Sequence, residues 1–147
     1  MLSIKTIQPD TLELLKAISA QPEVQGTRLV GGTALALQYG HRQSIDLDFF
    51  GELPEDREVL IDAIRRVGDV MVNNRSKLIL QMVVNKVKVD FVDYSSCPWI
   101  DAPVVGDGFA CTDIQTVTPL IFKSWQNHRP VTMRVSVAKL VVFTTNW

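Results

Sequence analysis

Val30 to Phe50 reads VGGTALALQYGHRQSIDLDFF, and the arrangement of the rest of the chain can be worked outward from it. Thr27 to Val30 forms a short apolar strand that runs into Gly31-Gly32. Thr33 to Tyr39, with Ala34, Leu35, Ala36 and Leu37, is a strong helix-forming run, and Gly40 is a natural residue to end it. After the polar loop His41-Arg42-Gln43-Ser44, the segment Ile45 to Phe50 alternates. Ile45, Leu47 and Phe49 fall on one side of a strand, and Asp46, Asp48 and Phe50 on the other, which predicts a strand with one buried face.

Two carboxylates now stand next to a glycine turn. Two residues apart on a strand, Asp46 and Asp48 project from the same face with Cα atoms ~6.6 Å apart. With their tips ~4 Å apart in an effective dielectric near 20, they repel by about 4 kcal/mol. A fold tolerates this if the pair is solvated, if one group holds a proton, or if a cation lies between them. Hard oxygen ligands of this kind suit Mg²⁺ or Mn²⁺, bound by one or two carboxylates together with substrate phosphates. Gly31-Gly32 opens a helix whose first amides favour an anion, with the Thr33 hydroxyl beside them. Neither a P-loop nor a Gly-x-Gly-x-x-Gly fingerprint is present. Any phosphate cradle here belongs to another class.

The flanking chain supplies a frame. Pro9 to Ala20 reads as a helix with Asp10 as its N-cap and an apolar stripe of Leu12, Leu15 and Ile18, with Leu14 beside it. Glu55 to Val67 reads as a second, with Val59, Leu60, Ala63, Ile64 and Val67 inward and Glu55, Asp56, Arg57, Glu58, Arg65 and Arg66 on a solvated face. Asp69 to Asn74 and Leu78 to Val84 read as strands joined at Arg75-Ser76-Lys77. Lys86 to Tyr94 is a further alternating strand, with Val87, Val89 and Phe91 opposite Lys86, Lys88 and Asp90. These strands predict an antiparallel meander beside the Asp-Leu-Asp strand. Asp90 then becomes a third carboxylate near the first two, with Lys86 and Lys88 available to neutralise phosphate; an exposed ion pair is the plainer alternative.

Ser95 to Asp107 is turn-rich, with Trp99 and Ile100 as candidate anchors. From Ile114 onward no Asp or Glu occurs; Thr118-Pro119 followed by Leu120 to Gln126 suggests a short helix, and Val131 to Thr145 is β-rich. The 147 residues carry a net charge of −1, with 46% hydrophobic and 21% charged residues. These values describe one globular domain with no overall basic field for nucleic acid. Cys97 and Cys111 fit no metal-ligand spacing and no disulfide framework. The N-terminus lacks a signal-peptide core, and no window reaches the ~18 apolar residues of a membrane span. A cytoplasmic location away from the membrane is the expectation.

In combination these motifs are far more specific than any one of them. GGTALALQYGHRQSIDLDFF, with Arg42, Ser44 and the Phe49-Phe50 pair, together with VKVDFVDY, resembles the nucleotidyltransferase-like AbiEii/AbiGii toxins. These lie within the DNA polymerase β-type nucleotidyltransferase superfamily, and the resemblance covers roughly Leu12 to Tyr94. It implies an α+β, α/β sandwich-like fold: a minimal nucleotidyltransferase core with a mixed or antiparallel sheet flanked by helices. The implied division is a core over 1–112 and a short, atypical C-terminal segment of the same domain over 113–147.

The activity so implied is metal-dependent transfer of a nucleotide from an NTP to an acceptor hydroxyl, on RNA such as a tRNA 3′ end or on protein, with a cognate antitoxin as partner. Gly31 and Gly32, with Thr33, Arg42, Ser44 and Lys88, are assigned to the nucleotide. Asp46, Asp48 and Asp90 are assigned to catalysis and to Mg²⁺ or Mn²⁺. The family's helix lysine has Thr118 at its expected place, and Lys123 is the candidate substitute. That departure, with a tail shorter than is usual in the family, leaves a second reading: a non-catalytic binding or regulatory module.

Overall fold

The computed structural model describes residues 2–40, 42–95, 102–106 and 108–111. The segments Thr118–Gln126 and Val131–Thr145, the loop anchors Trp99 and Ile100, His41 and Lys123 lie outside the described residues. The first helix, α1, spans Pro9–Ser19 and buries Thr11, Leu14, Leu15 and Ile18. Its cap differs from the expectation. Gln8 is the N-cap, Pro9 occupies the first helical position, and Asp10 lies inside the first turn. Proline lacks the amide that the first turn leaves unpaired, and Asp10 there still complements the positive end of the helix dipole.

Strand β1, Thr27–Val30, leads directly into helix α2, Gly31–Tyr39. Helix α2 starts at the glycine pair itself, two residues earlier than the propensity of its apolar run suggests. It ends at Gly40 in the left-handed conformation (φ 66°), whose amide donates to the Ala36 carbonyl at 2.7 Å. Strand β2, Leu47–Gly51, is followed by helix α3, Arg57–Arg65, where the Asp56 carboxylate accepts from the Glu58 amide at 2.9 Å. Strands β3 (Val70–Arg75), β4 (Ile79–Val84) and β5 (Val87–Asp93) follow. A two-residue turn joins β4 to β5, with Asn85 and Lys86 both at positive φ (47° and 68°), as a tight hairpin of this hand requires. Strands β6 (Val104–Gly106) and β7 (Phe109–Cys111) form a hairpin, β6 within the stretch that reads as turn-rich in sequence and β7 just beyond it.

The seven strands among the described residues form one mixed sheet, ordered β3-β4-β5-β2-β1-β7-β6. The expected meander holds for β3, β4 and β5, which are antiparallel. Its junction with β2 is parallel, with Leu47 opposite Val89, Asp48 opposite Asp90 and Phe49 opposite Phe91. A parallel pair needs a long crossover, and α3 with the β3–β4 hairpin provides it.

One face of the sheet packs against the three helices. Leu29, Leu47, Phe49, Leu80, Met82, Val84, Val89 and Phe91 join Leu15, Ile18, Leu37, Leu60 and Ile64 in a single core. Phe49 and Phe91 stack there with ring centroids 5.0 Å apart. The opposite face carries a smaller cluster of Val30, Phe50, Ile79, Val92 and Tyr94, so β2 is buried on both sides at Phe50, where alternation alone predicts one buried face. Ile45 precedes the strand and is 65% exposed, against its expected inward position.

Two assignments on α3 also change. Val59 faces outward, and Ile61 takes the buried place. Arg57, expected on the solvated face, is buried instead. Its guanidinium donates to the Pro54 and Lys77 carbonyls and pairs with Asp93 at 3.0 Å, tying the start of α3 to the end of β5. Cys111 is a buried free thiol, pushed up to about 12 by burial, and is therefore inert at neutral pH.

Candidate active site

The site grows from the junction between β1 and α2. Gly31 sits at φ +73°, and a Cβ there would lie 2.8 Å from Asp48 Oδ2. The backbone turn and the Asp48 carboxylate are therefore in direct apposition, and only glycine permits both the conformation and the approach. A Cβ on Gly32 would meet the Arg42 guanidinium at 2.7 Å, so a fixed positive charge lies across the N-terminal end of α2. Thr33 is buried. Its hydroxyl meets Ser44 Oγ at 2.7 Å and also donates to the Asp46 carbonyl. These contacts lock the first turn of α2 to the segment entering β2, which fixes the backbone at Asp46. Thr33 and Ser44 thus hold the loop in place. The resemblance assigns both to the nucleotide; within the chain they also join the first turn of α2 to the segment entering β2.

Sheet register brings the carboxylates together. Asp48 lies between Val30 of β1 and Asp90 of β5, and Asp90 is in turn opposite Gln81 of β4. Neighbouring positions on adjacent strands present side chains to the same face. This face is the one opposite the helical core. Asp46 stands just before β2, two residues from Asp48. Asp90 is 3% exposed, and its Oδ1 is buried without a hydrogen-bond partner. Its Oδ2 lies 3.4 Å from Lys88 Nζ. Burial raises the Asp90 pKa; Lys88 and the Gln81 side chain pull it down, and the negative charge of Asp46 adds to the rise. Lys86 turns out to lie in the β4–β5 turn, so Lys88 is the lysine at the site.

Among the described residues, no three Asp, Glu, His or Cys side chains form a ready-made metal group. This bears on which cation the site fits. Mg²⁺ is ordinarily held by one or two carboxylates plus substrate phosphates and water, without an all-protein cage. An orphaned carboxylate oxygen on Asp90, the neighbouring Asp48 and the charge of Asp46 offer such a hard, anionic, incomplete donor set. The residues therefore fit Mg²⁺ or Mn²⁺.

Sequence reading missed Asn74 and Gln81, which extend the carboxylate row across the sheet. Asn74 is in register with Gln81 and donates to its Oε1 at 3.3 Å. The available signal was the single amide in the apolar run Ile79–Val84. Arg28 also lies on this side of β1, opposite Phe50, where burial lowers its pKa.

A strand–Gly-Gly–helix turn packed on an Asp-x-Asp strand, with a third aspartate on the adjoining parallel strand, defines a nucleotidyltransferase-type α+β core. Solved structures share this fold. ANT(2″)-Ia in complex with adenylyl-2″-tobramycin superposes with a TM-score of 0.55 at 14% identity, covering 92% of this chain and 90% of that one. The Thermotoga maritima protein TM1012, described as a nucleotidyltransferase, gives 0.52 at 16% identity, over 87% and 92% of the two chains. JHP933 from Helicobacter pylori gives 0.48 at 18% identity over 80% of this chain, which spans 57% of that protein's length. No curated protein matches the chain in sequence. The family described as Nucleotidyl transferase AbiEii toxin, Type IV TA system, matches over residues 13–101. The chain belongs to this family. No helix among the described residues is long and apolar enough to cross a membrane.

Proposed function

We propose that the chain transfers a nucleotidyl group from a nucleoside triphosphate to an acceptor hydroxyl in the presence of Mg²⁺ or Mn²⁺. A tRNA 3′ end is the first acceptor to test, and a cognate antitoxin protein is the natural partner for a member of this family. The observation that carries the reading is the apposition of Gly31 and Asp48, with Asp90 beside Asp48 in register.

The residues divide the work. The amides opening α2 and the Arg42 guanidinium receive the triphosphate, because both present positive charge at one helix end. Thr33 and Ser44 hold the Asp46 backbone in place. Asp46, Asp48 and Asp90 would hold the divalent cation, which when bound neutralises phosphate charge and lowers the pKa of a coordinated hydroxyl. Asp90, buried and with Oδ1 lacking a hydrogen-bond partner, would also take the acceptor's proton. The acceptor oxygen bonds to the α-phosphorus as the bond to pyrophosphate breaks, so no covalent enzyme intermediate is needed. Lys88 balances the charge of Asp90. Lys123, outside the described residues, is proposed as a further contact to the phosphates.

The test is incubation of the purified protein with each labelled NTP, Mg²⁺ and total tRNA. Label should enter RNA with wild type and not with Asp48→Asn. An absence of labelling, with weak or absent Mg²⁺-NTP binding by calorimetry, would favour the non-catalytic module.

A further inference from the structure

The row that contains the carboxylates does not stop at Asp90. Across four strands it runs Asn74, Gln81, Asp90, Asp48, each in register with the next. Asn74 and Gln81 are half-buried, and Asp90 is buried. An amide side chain has two chemically different ends. Gln81 Oε1 accepts from Asn74 Nδ2 at 3.3 Å. The acceptor end is thereby committed to Asn74 on one side, which leaves the donor end for the other cross-strand neighbour, Asp90. We infer that Gln81, with its orientation set by Asn74, is a positioning residue that holds the Asp90 carboxylate in the conformation the metal-nucleotide site requires.

Geometry gives the reasons. Asp90 Oδ1 has no hydrogen-bond partner, and Lys88, the ion-pair partner of Oδ2, is 40% exposed, which makes a loose restraint. A buried carboxylate with one free oxygen and one long ion pair rotates unless something else fixes it. Gln81 is the cross-strand neighbour of Asp90, and its side chain acts in the direction that favours the charged carboxylate. In the strand Ile79–Val84 it is the one polar side chain, at a half-buried position on the face of Asp90. Partners one step removed from a metal orient its ligands, and their loss typically weakens metal affinity by about 10–100-fold.

This inference rests on the proposed role of Asp90. It is tested by Mn²⁺ titration of the full-length protein, followed through the spectroscopic signal of free Mn²⁺, for Gln81→Leu, Asn74→Ala, the double variant and Asp90→Asn. Gln81→Leu should weaken Mn²⁺ binding by roughly ten-fold or more, with an unchanged unfolding temperature in the absence of metal. Asn74→Ala should weaken it less. The double variant should be no worse than Gln81→Leu alone, because both act through one amide. Full Mn²⁺ affinity in Gln81→Leu, while Asp90→Asn binds weakly, would overturn the inference and leave the site intact. Full affinity in Asp90→Asn would remove Asp90 from the site, and the role of Gln81 with it. If the effects of Asn74→Ala and Gln81→Leu multiply independently, the chain of orientation is broken and the inference fails in that form.

Discussion

Strands β2 and β5 run side by side, and the two faces they share differ sharply. On one, Leu47 meets Val89 and Phe49 meets Phe91, sealed under three helices. On the other, one step along each strand, Asp48 meets Asp90. Alternation of period two converts a single residue step into a change from core to chemistry. The apolar face fixes the register, and the register sets two carboxylates side by side despite their repulsion. The carboxylate face also holds the smaller cluster of Phe50 and Val92, so the division is by position: substitutions at Phe91 and at Asp48 should separate in stability and activity.

The sharpest test pairs Phe91→Ala with Asp48→Asn. Phe91 is fully buried and stacked on Phe49, and its truncation should cost about 3–5 kcal/mol, read from denaturant unfolding. Asp48→Asn should leave the unfolding midpoint at or above wild type while lowering nucleotide transfer by roughly 100-fold or more. A large stability loss in Asp48→Asn would mean that the polar face also holds the fold together, and the division would be abandoned.

Arg57 and Asp93 sharpen the comparison from the end of β5. Their pair is largely enclosed, and breaking it by Arg57→Met should cost about 3 kcal/mol. Burial by itself would raise the Asp93 pKa, but Ser95 and Arg57 outweigh it, so the folded-state value is lowered. A lowered carboxyl pKa contributes stability that is present above the unfolded value, near 3.9, and is lost as pH falls through the folded value. Wild type should therefore lose this stabilisation in acid, whereas Asp93→Asn lacks it at every pH. The stability difference between them, measured in urea, should be flat from pH 5 to 8 and shrink below about pH 4. Because Asp93 lies outside the carboxylate row, transfer measured on the remaining folded protein should be unchanged.

Much of this was legible in the sequence because it depends on local pattern. Gly31-Gly32 before an apolar run gives the β1–α2 turn, Gly40 its end, and the alternation from Leu47 the face of Asp48. What was not legible depends on distant chain. The sequence puts Asp90 on a strand beside the Asp-Leu-Asp strand, but it cannot show that α3 and a hairpin return β5 parallel to β2, which sets Asp48 directly opposite Asp90. Arg57 reads as one more surface charge until the Lys77 carbonyl and Asp93 are brought to it. Gln81 reads as a tolerated polar residue until Asn74 and Asp90 flank it. Strands β6 and β7, three residues each, are too short to stand out from the glycines around them.

The smallest effect is also the most discriminating, because it compares two glycines of one helix. Gly31 and Gly40 bound α2, both at positive φ (73° and 66°), so alanine at either should cost about 1–2 kcal/mol in backbone strain. Their surroundings differ. A Cβ at Gly40 meets Ser3 Oγ at 2.8 Å and Ser3 Cβ at 3.2 Å; Ser3 is half-buried, and its hydroxyl can rotate away. At Gly31 the atom at 2.8 Å is Asp48 Oδ2, which must move if the Cβ is to fit. Thermal unfolding should therefore rank the two variants together, while Mg²⁺-NTP calorimetry should separate them, with Gly40→Ala close to wild type and Gly31→Ala weakened by roughly ten-fold or more. Equal binding by both would show that Gly31 is needed only for its turn, as Gly40 is, and that the close approach to Asp48 has no part in holding the nucleotide.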